Sequence, residues 1–433
     1  MTRQPRSLTI RTYNVGFGDC FLLTFDYASG GPRHILIDFG SQEAKGGAAE
    51  TLRKVAASIR EITGNKLHVV VATHRHQDHI RGFGTTGAGE LIEAMAPDVV
   101  LQPWTEDPEI AEQAEAPSHG LRLRSDRTAR SLHLRQLSDM NALAETYFAA
   151  PGTGPLKGLA KADPETFRKL SFIGANNIKN RKAVEALIRM AQRGKGRYLH
   201  AGQSAGLSRL LPGVTVDVLG PPTVAQHPEV RRQRAESEEE YWHLNAAAAS
   251  TAGGDSGAFA GLDLSQKTIA PPVSARWFGY RLRKLRLDTM LGIVRNLDNA
   301  MNNTSLILLF TVGDKAILFP GDAQLENWQY ALSQPEMMEK LKKVDVYKVG
   351  HHGSLNATPK SVWENFEKRG PKKKSGKRLT SLLSTMAGKH GEEARRTEVP
   401  RQTLLKALLS HSDVTHTEEY SDEELFRETV VKF

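Results

Sequence analysis

The feature that most constrains this chain is a polar loop that directly follows an apolar run. Residues 67–72 predict a buried strand, and the next seven residues read Thr-His-Arg-His-Gln-Asp-His. Four of these, His74, His76, Asp78 and His79, carry the imidazole and carboxylate groups that hold borderline divalent ions such as zinc. Open α/β sheets present functional side chains at the C-terminal ends of their strands. The pattern therefore predicts a metal site at a strand end, rather than a polar loop with unrelated surface histidines.

The spacing inside this loop indicates room for one ion or two. His74 and His76 alternate along an extended segment, so their rings lie on the same side of it. Asp78 and His79 follow on the next turn and can face a second position. A pair of ions needs more ligands than this loop has, and we expect them where other apolar strands end.

Two later strand ends carry such groups. Residues 316–320 lead into Gly-Asp, which places Asp322 at a strand terminus, and residues 344–349 lead into Gly-His-His-Gly-Ser. Taken singly, an aspartate after glycine is often a helix N-cap, and a histidine pair before glycine is often a turn. In combination with the histidine loop, Asp322, His351 and His352 predict one composite site.

These motifs together resemble the metallo-β-lactamase superfamily, and most closely the hydrolase domain of the competence protein ComEC. Other blocks extend the likeness in the family's order: Asn14–Cys20, Leu36–Gly40, Leu219–Pro222, Asn302–Leu306 and Lys348–Gly350. The resemblance implies an α/β fold of the αββα four-layer sandwich type, with two metals at the strand-end rim.

The resemblance also implies ligand roles. His74 and His76 would bind the first metal, Asp78 and His79 would bind the second, and Asp322 would bridge the two.

For the second site the resemblance implies one more histidine. Either His351 or His352 would be this ligand: position after the strand favours His351, which would leave His352 to orient a ligand or to donate a proton. Asp38 resembles the family's buried carboxylate that orients the histidine loop. The catalytic groups would then be Asp78, Asp322 and His352.

The chain departs from the superfamily pattern at one ligand. Many members carry a further histidine after the strand that follows the histidine loop, but residues 99–104 here read VVLQPW. The first metal would then keep an open position, bind weakly or recruit a histidine from an insertion. The histidines available for this are His119, His133, His200, His227 and His243.

Length and composition set the organisation. The chain has 433 residues, of which 39% are hydrophobic and 25% charged, as in a globular protein. We expect the core to consist of residues 1–104, a return strand within 203–222, and residues 301–433 with a tail. Residues 105–202 would form a basic helical insertion and residues 223–300 a second insertion. A single cysteine, no signal peptide and no apolar run of about 20 residues lead us to expect a cytoplasmic protein that does not enter membranes.

Charge is the main guide to the substrate. The net charge is +9, and residues 121–200 hold sixteen basic and six acidic residues. Two divalent ions about 3.5–4 Å apart activate a bridging water for hydrolysis, but this chemistry does not select among phosphodiesters, lactones and thioesters. The basic segment favours nucleic acid, as do Lys372, Lys373, Lys374 and Arg378, because cations neutralise backbone phosphates.

We therefore expect a metal-dependent hydrolase, a nuclease or other phosphodiesterase acting on DNA or RNA with two zinc or manganese ions. Two alternatives stay open. One is a small-molecule hydrolase for a lactone, thioester or cyclic nucleotide. The other is a partner-dependent scaffold with a catalytically poor metal site.

Overall fold

The computed structural model of the chain describes residues 4–107, 180–223, 225–227, 301–354, 358–371, 378–386, 388, 398–421 and 423–433. Thirteen strands are present within these ranges: β1 Ser7–Tyr13, β2 Cys20–Asp26, β3 Arg33–Phe39, β4 Val69–Val71, β5 Val99–Pro103, β6 Gly196–Leu199, β7 Thr215–Gly220, β8 Ile307–Val312, β9 Lys315–Phe319, β10 Val346–Lys348, β11 Thr380–Leu383, β12 Asp413–His416 and β13 Phe426–Lys432. Eight α-helices accompany them: α1 Ala48–Ile62, α2 Gln77–Ile80, α3 Ala88–Ala94, α4 Arg181–Arg193, α5 Leu325–Ser333, α6 Pro335–Lys342, α7 Lys360–Asn365 and α8 Gln402–His411.

The strands form two sheets. The first has seven strands in the order β13-β1-β2-β3-β4-β5-β6, and the second has six in the order β12-β11-β10-β9-β8-β7. Strands β1 to β3 form an antiparallel meander, and β3 to β6 run parallel. In the second sheet β9 to β12 are parallel, so both sheets have several strands whose C-terminal ends lie at one edge.

Three apolar layers hold the sheets and helices together. The central layer lies between the sheets and includes Ile37 of β3 and Phe310 of β8. A second layer packs α1, α3 and α4 on the outer face of the first sheet. A third packs α5 to α8 on the outer face of the second sheet. The result is the αββα sandwich that the family resemblance implied.

The alternation of the strands and the apolar stripe of α1 explain this layering. In β8, Leu308 and Phe310 face the central layer, whereas Ile307 and Leu309 face the helices, as the period of two requires. Helix α1 buries Leu52, Val55, Ala56 and Ile59, which recur every three or four residues on one face.

Two parts of the core lie in segments that we expected to form an insertion and a tail. Within the expected insertion 105–202, residues 181–193 form α4, which packs on the first sheet. Residues 196–199 form β6, which continues that sheet beside β5 with Val100 opposite Gly196. The tail also contributes, because β13 pairs antiparallel with β1, Ser7 opposite Lys432. Residues 108–179 and 228–300, the greater part of both expected insertions, lie outside the described residues.

Among the described helices, none is both long enough and apolar enough to cross a membrane.

Candidate metal centre

The candidate site lies where strands of both sheets end. The loop that carries His74 and His76 follows β4, and α2 continues it with Asp78 and His79. Asp322 follows β9, and the adjacent residues His351 and His352 follow β10. The parallel strands thus bring distant stretches of chain to one edge of the sandwich, as expected for an open α/β sheet.

Four of these side chains converge. Asp78, His79, Asp322 and His352, here called the four-donor cluster, each offer an oxygen or nitrogen atom, and these atoms all lie within 4.8 Å of one another. His79 Nε2 is 3.0 Å from Asp322 Oδ2, and His352 Nε2 is 3.0 Å from Asp78 Oδ2. All four residues are buried.

His74 and His76, here called the histidine pair, meet beside this cluster. His74 Nε2 lies 3.0 Å from His76 Nδ1, and both residues are buried. Two nitrogen ligands of one tetrahedral zinc ion, each about 2.1 Å from it, lie about 3.4 Å apart. The spacing of the histidine pair and the donor set of the cluster therefore both fit divalent ions.

Asp38 orients the histidine loop through hydrogen bonds to Thr73 and His79. Its Oδ2 accepts hydrogen bonds from His79 Nδ1 and from Thr73 Oγ1, each at 2.7 Å, and its Oδ1 accepts the Thr73 N–H at 2.8 Å. A proton held on Nδ1 leaves His79 Nε2 as the atom that faces Asp322. Asp38 takes a φ of +55°, a strained value for a residue with a Cβ, as residues at functional sites often do.

A glycine makes this close packing possible. A Cβ on Gly40 would lie 2.2 Å from the Asp78 carbonyl carbon and 2.3 Å from the His79 nitrogen. The chain after β3 and the start of α2 therefore approach at a distance that only glycine allows.

The centre concentrates negative charge. Asp19, Asp38, Asp78 and Asp322 are all buried, and Lys348 is a buried cation among them. Lys348 Nζ contacts the Asp19 carboxylate and lies 3.4 Å from Asp322 Oδ1. Burying unbalanced carboxylates is costly, so protons on the imidazoles or bound cations must compensate the remainder.

The pKa values follow from this crowding. Burial alone would lower the pKa of His79, but the carboxylates of Asp322 and Asp38 raise it well above its ordinary value. Burial alone would raise the pKa of Asp78, but its hydrogen bond with His352 and the charge on His79 hold it well below the usual range.

The two adjacent histidines have different surroundings. His352 is fully buried, and its Nδ1 lies 2.9 Å from the Ser384 carbonyl, to which it donates, so its Nε2 faces Asp78. The His351 side chain is 28% exposed, with Nε2 4.0 Å from Asp322 Oδ2. The structure thus brings His352 into the four-donor cluster, whereas the sequence analysis favoured His351. Both residues have a positive φ, 42° and 51°, so the chain turns at these histidines and does not continue as an extended strand.

Sequence reasoning missed two buried residues of the centre as site residues. Asp19 follows a glycine-rich turn and its oxygens lie 3.7 Å from both His79 Nδ1 and His352 Nδ1. Lys348 is the last residue of β10, inside an otherwise apolar run. The motif blocks contained both, but an aspartate after glycine and a lysine in a strand carry no indication of where they point.

No histidine replaces the absent first-site ligand among the described residues. The end of β5 places Gln102 and Trp104 in the core. His200 follows β6 with its Nδ1 3.0 Å from the Ala201 carbonyl, and neither it nor His227 belongs to a described donor cluster. His119, His133 and His243 lie outside the described residues.

Arg75 connects the histidine loop to the ends of the first expected insertion. Its guanidinium forms a bidentate ion pair with the Glu106 carboxylate, with Nε 3.0 Å from both oxygens and Nη2 2.6 Å from Oε2. Asn180 Nδ2 donates to the Arg75 carbonyl at 2.5 Å. Described residues on both sides of the gap at 108–179 therefore contact the histidine loop.

The predicted nucleic-acid contacts are mostly outside the described residues. Lys372, Lys373 and Lys374 fall there. The Arg378 side chain is only 11% exposed, pairs with Asp413 at 3.3 Å and donates to the Leu409 carbonyl at 3.2 Å. Arg378 therefore makes contacts within the chain itself.

Comparison with known proteins bears on the N-terminal part of the site. Residues 13–85, which include Asp38 and the whole histidine loop, match the family model described as the metallo-beta-lactamase superfamily. No curated protein matches the chain. The match, the fold and the donor cluster together suggest a metal-dependent hydrolase.

Proposed function

We propose that this protein is a metal-dependent phosphodiesterase that cleaves DNA or RNA, using two divalent ions, zinc or manganese. The observation that carries the hydrolase part is the convergence of the four-donor cluster beside the histidine pair at a buried strand-end rim. Divalent ions bound by these residues would activate a water for attack and would stabilise negative charge on the attacked group.

The chain's own residues prepare this chemistry. The histidine pair offers two ring nitrogens to one ion, and the cluster offers two carboxylates and two imidazoles to another. Asp38 keeps His79 in the tautomer whose Nε2 faces the centre. His351, which reaches solvent beside Asp322, is placed to pass a proton to a leaving group.

Three features favour a nucleic-acid substrate over a small molecule. Ten of the sixteen basic residues of segment 121–200 lie in 121–179. The described residues Glu106 and Asn180, on either side of that stretch, both contact Arg75 of the histidine loop. The lysines at 372–374 add further positive charge. The likeness of the motif blocks to the ComEC hydrolase domain points to the same substrate class.

Cleavage assays with a matched pair of variants test the proposal. Asp322→Asn removes a charge from the cluster, whereas Asp345→Asn removes one from a buried aspartate just before β10, at the opposite edge of the second sheet. Both variants and the wild type are incubated with single- and double-stranded DNA and RNA in zinc or manganese. We expect cleavage by the wild type and Asp345→Asn and a loss of at least about 100-fold in Asp322→Asn. Intact polynucleotide with all three proteins, together with cleavage of lactones, thioesters or cyclic nucleotides by the wild type, would refute the nuclease assignment.

The dependence of binding on salt tests the basic residues. A triple alanine variant at Lys372, Lys373 and Lys374 should bind DNA more weakly, and the slope of log K against log salt should fall by about 0.9 for each phosphate that the lysines no longer neutralise. The control replaces three exposed residues of α1 with alanine: Arg53, Lys54 and Arg60. Equal slopes for the two variants would show that the lysine run does not bind phosphate.

A further inference from the structure

Lys348 is a buried cation with three partners. It is 2% exposed, and its Nζ contacts the Asp19 carboxylate, donates to the Gly321 carbonyl at 3.2 Å and lies 3.4 Å from Asp322 Oδ1. Burying an ammonium group is costly unless it is paired and hydrogen-bonded. The contacts with two carboxylates and a carbonyl meet this requirement for Lys348.

The two oxygens of Asp322 have different neighbours. Oδ1 accepts the His351 backbone N–H at 2.9 Å and faces the Lys348 ammonium. Oδ2 faces the donor nitrogens, 3.0 Å from His79 Nε2 and 4.0 Å from His352 Nε2. One oxygen is therefore held by protein donors and the other points into the four-donor cluster.

We propose that Lys348, held in place by Asp19, is a positioning residue that keeps Asp322 Oδ1 out of the metal centre, so that Asp322 offers its ions only Oδ2. The inference rests on the proposed function, because it concerns how that same centre coordinates its ions. With Oδ1 held away, Asp322 would give the ion one ligand atom instead of two, and the position that Oδ1 does not take would stay available to water or substrate.

Asp19 is what makes Lys348 effective in this role. Its backbone N–H donates to the Asp78 carbonyl at 2.8 Å, and its own carbonyl accepts the Gly40 N–H at 3.0 Å. The Asp19 carboxylate is therefore fixed relative to the histidine loop, and it holds the ammonium group at one point between the sheets.

Cobalt-substituted protein tests the position of Asp322. In Lys348→Met the freed Oδ1 can turn to the ion, so we expect the visible absorption of bound Co²⁺ to lose intensity as the coordination number rises. Lys315→Met is the matched control, because Lys315 is also a buried lysine of the second sheet but pairs with Asp314 at 2.7 Å, away from the centre. Its spectrum should equal that of the wild type.

A double variant separates positioning from simple charge balance. Asp19→Asn with Lys348→Met removes the carboxylate that Lys348→Met alone leaves unpaired, so thermal stability should recover. The altered Co²⁺ spectrum should remain, because Asp322 Oδ1 still lacks its ammonium partner. A wild-type spectrum in the double variant would overturn the proposal, and this variant also serves if Lys348→Met alone fails to fold.

A metal-free measurement keeps this test independent of the proposed function. In EDTA, urea unfolding of Lys348→Met, Asp322→Asn and the combined variant reports the coupling of the two residues. We expect Lys348→Met to shift the urea midpoint less in the Asp322→Asn background than in the wild type. Equal shifts of the urea midpoint in the two backgrounds would show that Lys348 and Asp322 do not interact. A wild type that takes up no Co²⁺ would refute the proposed function, while this cycle would still decide the role of Lys348.

Discussion

Replacing Asp38 with asparagine should switch the tautomer of a metal-binding histidine. Asparagine keeps the size of the side chain and an oxygen for the Thr73 N–H, but it places an NH₂ group where Oδ2 accepts from His79 Nδ1 at 2.7 Å. Because an NH₂ group only donates, His79 Nδ1 must accept and its proton moves to Nε2. Nε2 is the atom that lies 3.0 Å from Asp322 Oδ2, so the variant loses it as a ligand.

The expected loss is large because a ligand atom itself is affected. Removing the group that orients a metal-binding histidine typically costs 10–100-fold in metal affinity, about 1.4–2.8 kcal/mol. We expect the upper end, about 100-fold weaker zinc binding, because the switch takes one of four donors from the cluster. Competition with a chromophoric chelator at neutral pH measures this affinity.

Asp345→Asn is the control for loss of a buried carboxylate. Asp345 is buried, and its Oδ2 accepts the Ala316 N–H at 3.0 Å, so this variant should lose stability but keep its zinc affinity. Unchanged zinc affinity in a folded Asp38→Asn protein would refute the tautomer argument and the assignment of His79 Nε2 as a ligand.

Three more perturbations follow from the structure. His352→Ala should lower the bound zinc per chain in elemental analysis, whereas His351→Ala should leave it unchanged and lower only the rate of cleavage; equal loss in both would contradict the assignment of His352 to the cluster. Glu106→Gln should lower the free energy of unfolding by about 2 kcal/mol in urea titration, since it weakens a charge-assisted contact of a side chain that is 8% exposed. The urea midpoint should also fall between pH 7 and pH 5, because burial lowers the pKa of His34 and of His68 to about 4, and an unchanged midpoint would show that neither is held neutral.

The sign of that pH effect follows from the folded and unfolded states. Both histidines titrate near pH 6.5 in an unfolded chain, so between pH 6.5 and 4 the unfolded state binds more protons. Their contribution is therefore complete above about pH 6.5 and is lost as the pH falls toward 4. His68 Nδ1 accepts the His34 N–H at 3.1 Å, and His68→Asn keeps an acceptor there without a titrating group. This variant should lose less stability on acidification than the wild type.

Much of the fold was predictable because its determinants are local. The bounds of α1, Ala48–Ile62, follow from an apolar stripe, and β9, Lys315–Phe319, follows from an apolar run after a tight glycine turn. The histidine loop was recognisable because four ligand-type residues lie within six positions. Each of these patterns is complete within about fifteen residues.

The remaining parts depend on partners that are distant in the sequence. Strand β13 alternates half-exposed and exposed residues and pairs with β1 at the other end of the chain, a pairing that no local pattern reveals. The sequence alone did not separate His351 from His352, because the backbone turn that places His352 in the cluster depends on a positive φ at both residues. Asp19 and Lys348 meet only because the two sheets pack face to face.

X-ray data collected at the zinc absorption edge from crystals grown with zinc would locate the bound ions. We expect one anomalous peak within about 2.0–2.2 Å of donor atoms of Asp78, His79, Asp322 and His352, and another at the same distance from ring nitrogens of His74 and His76. A map with no peak at either position, from protein whose fold agrees with this structure, would contradict this expectation.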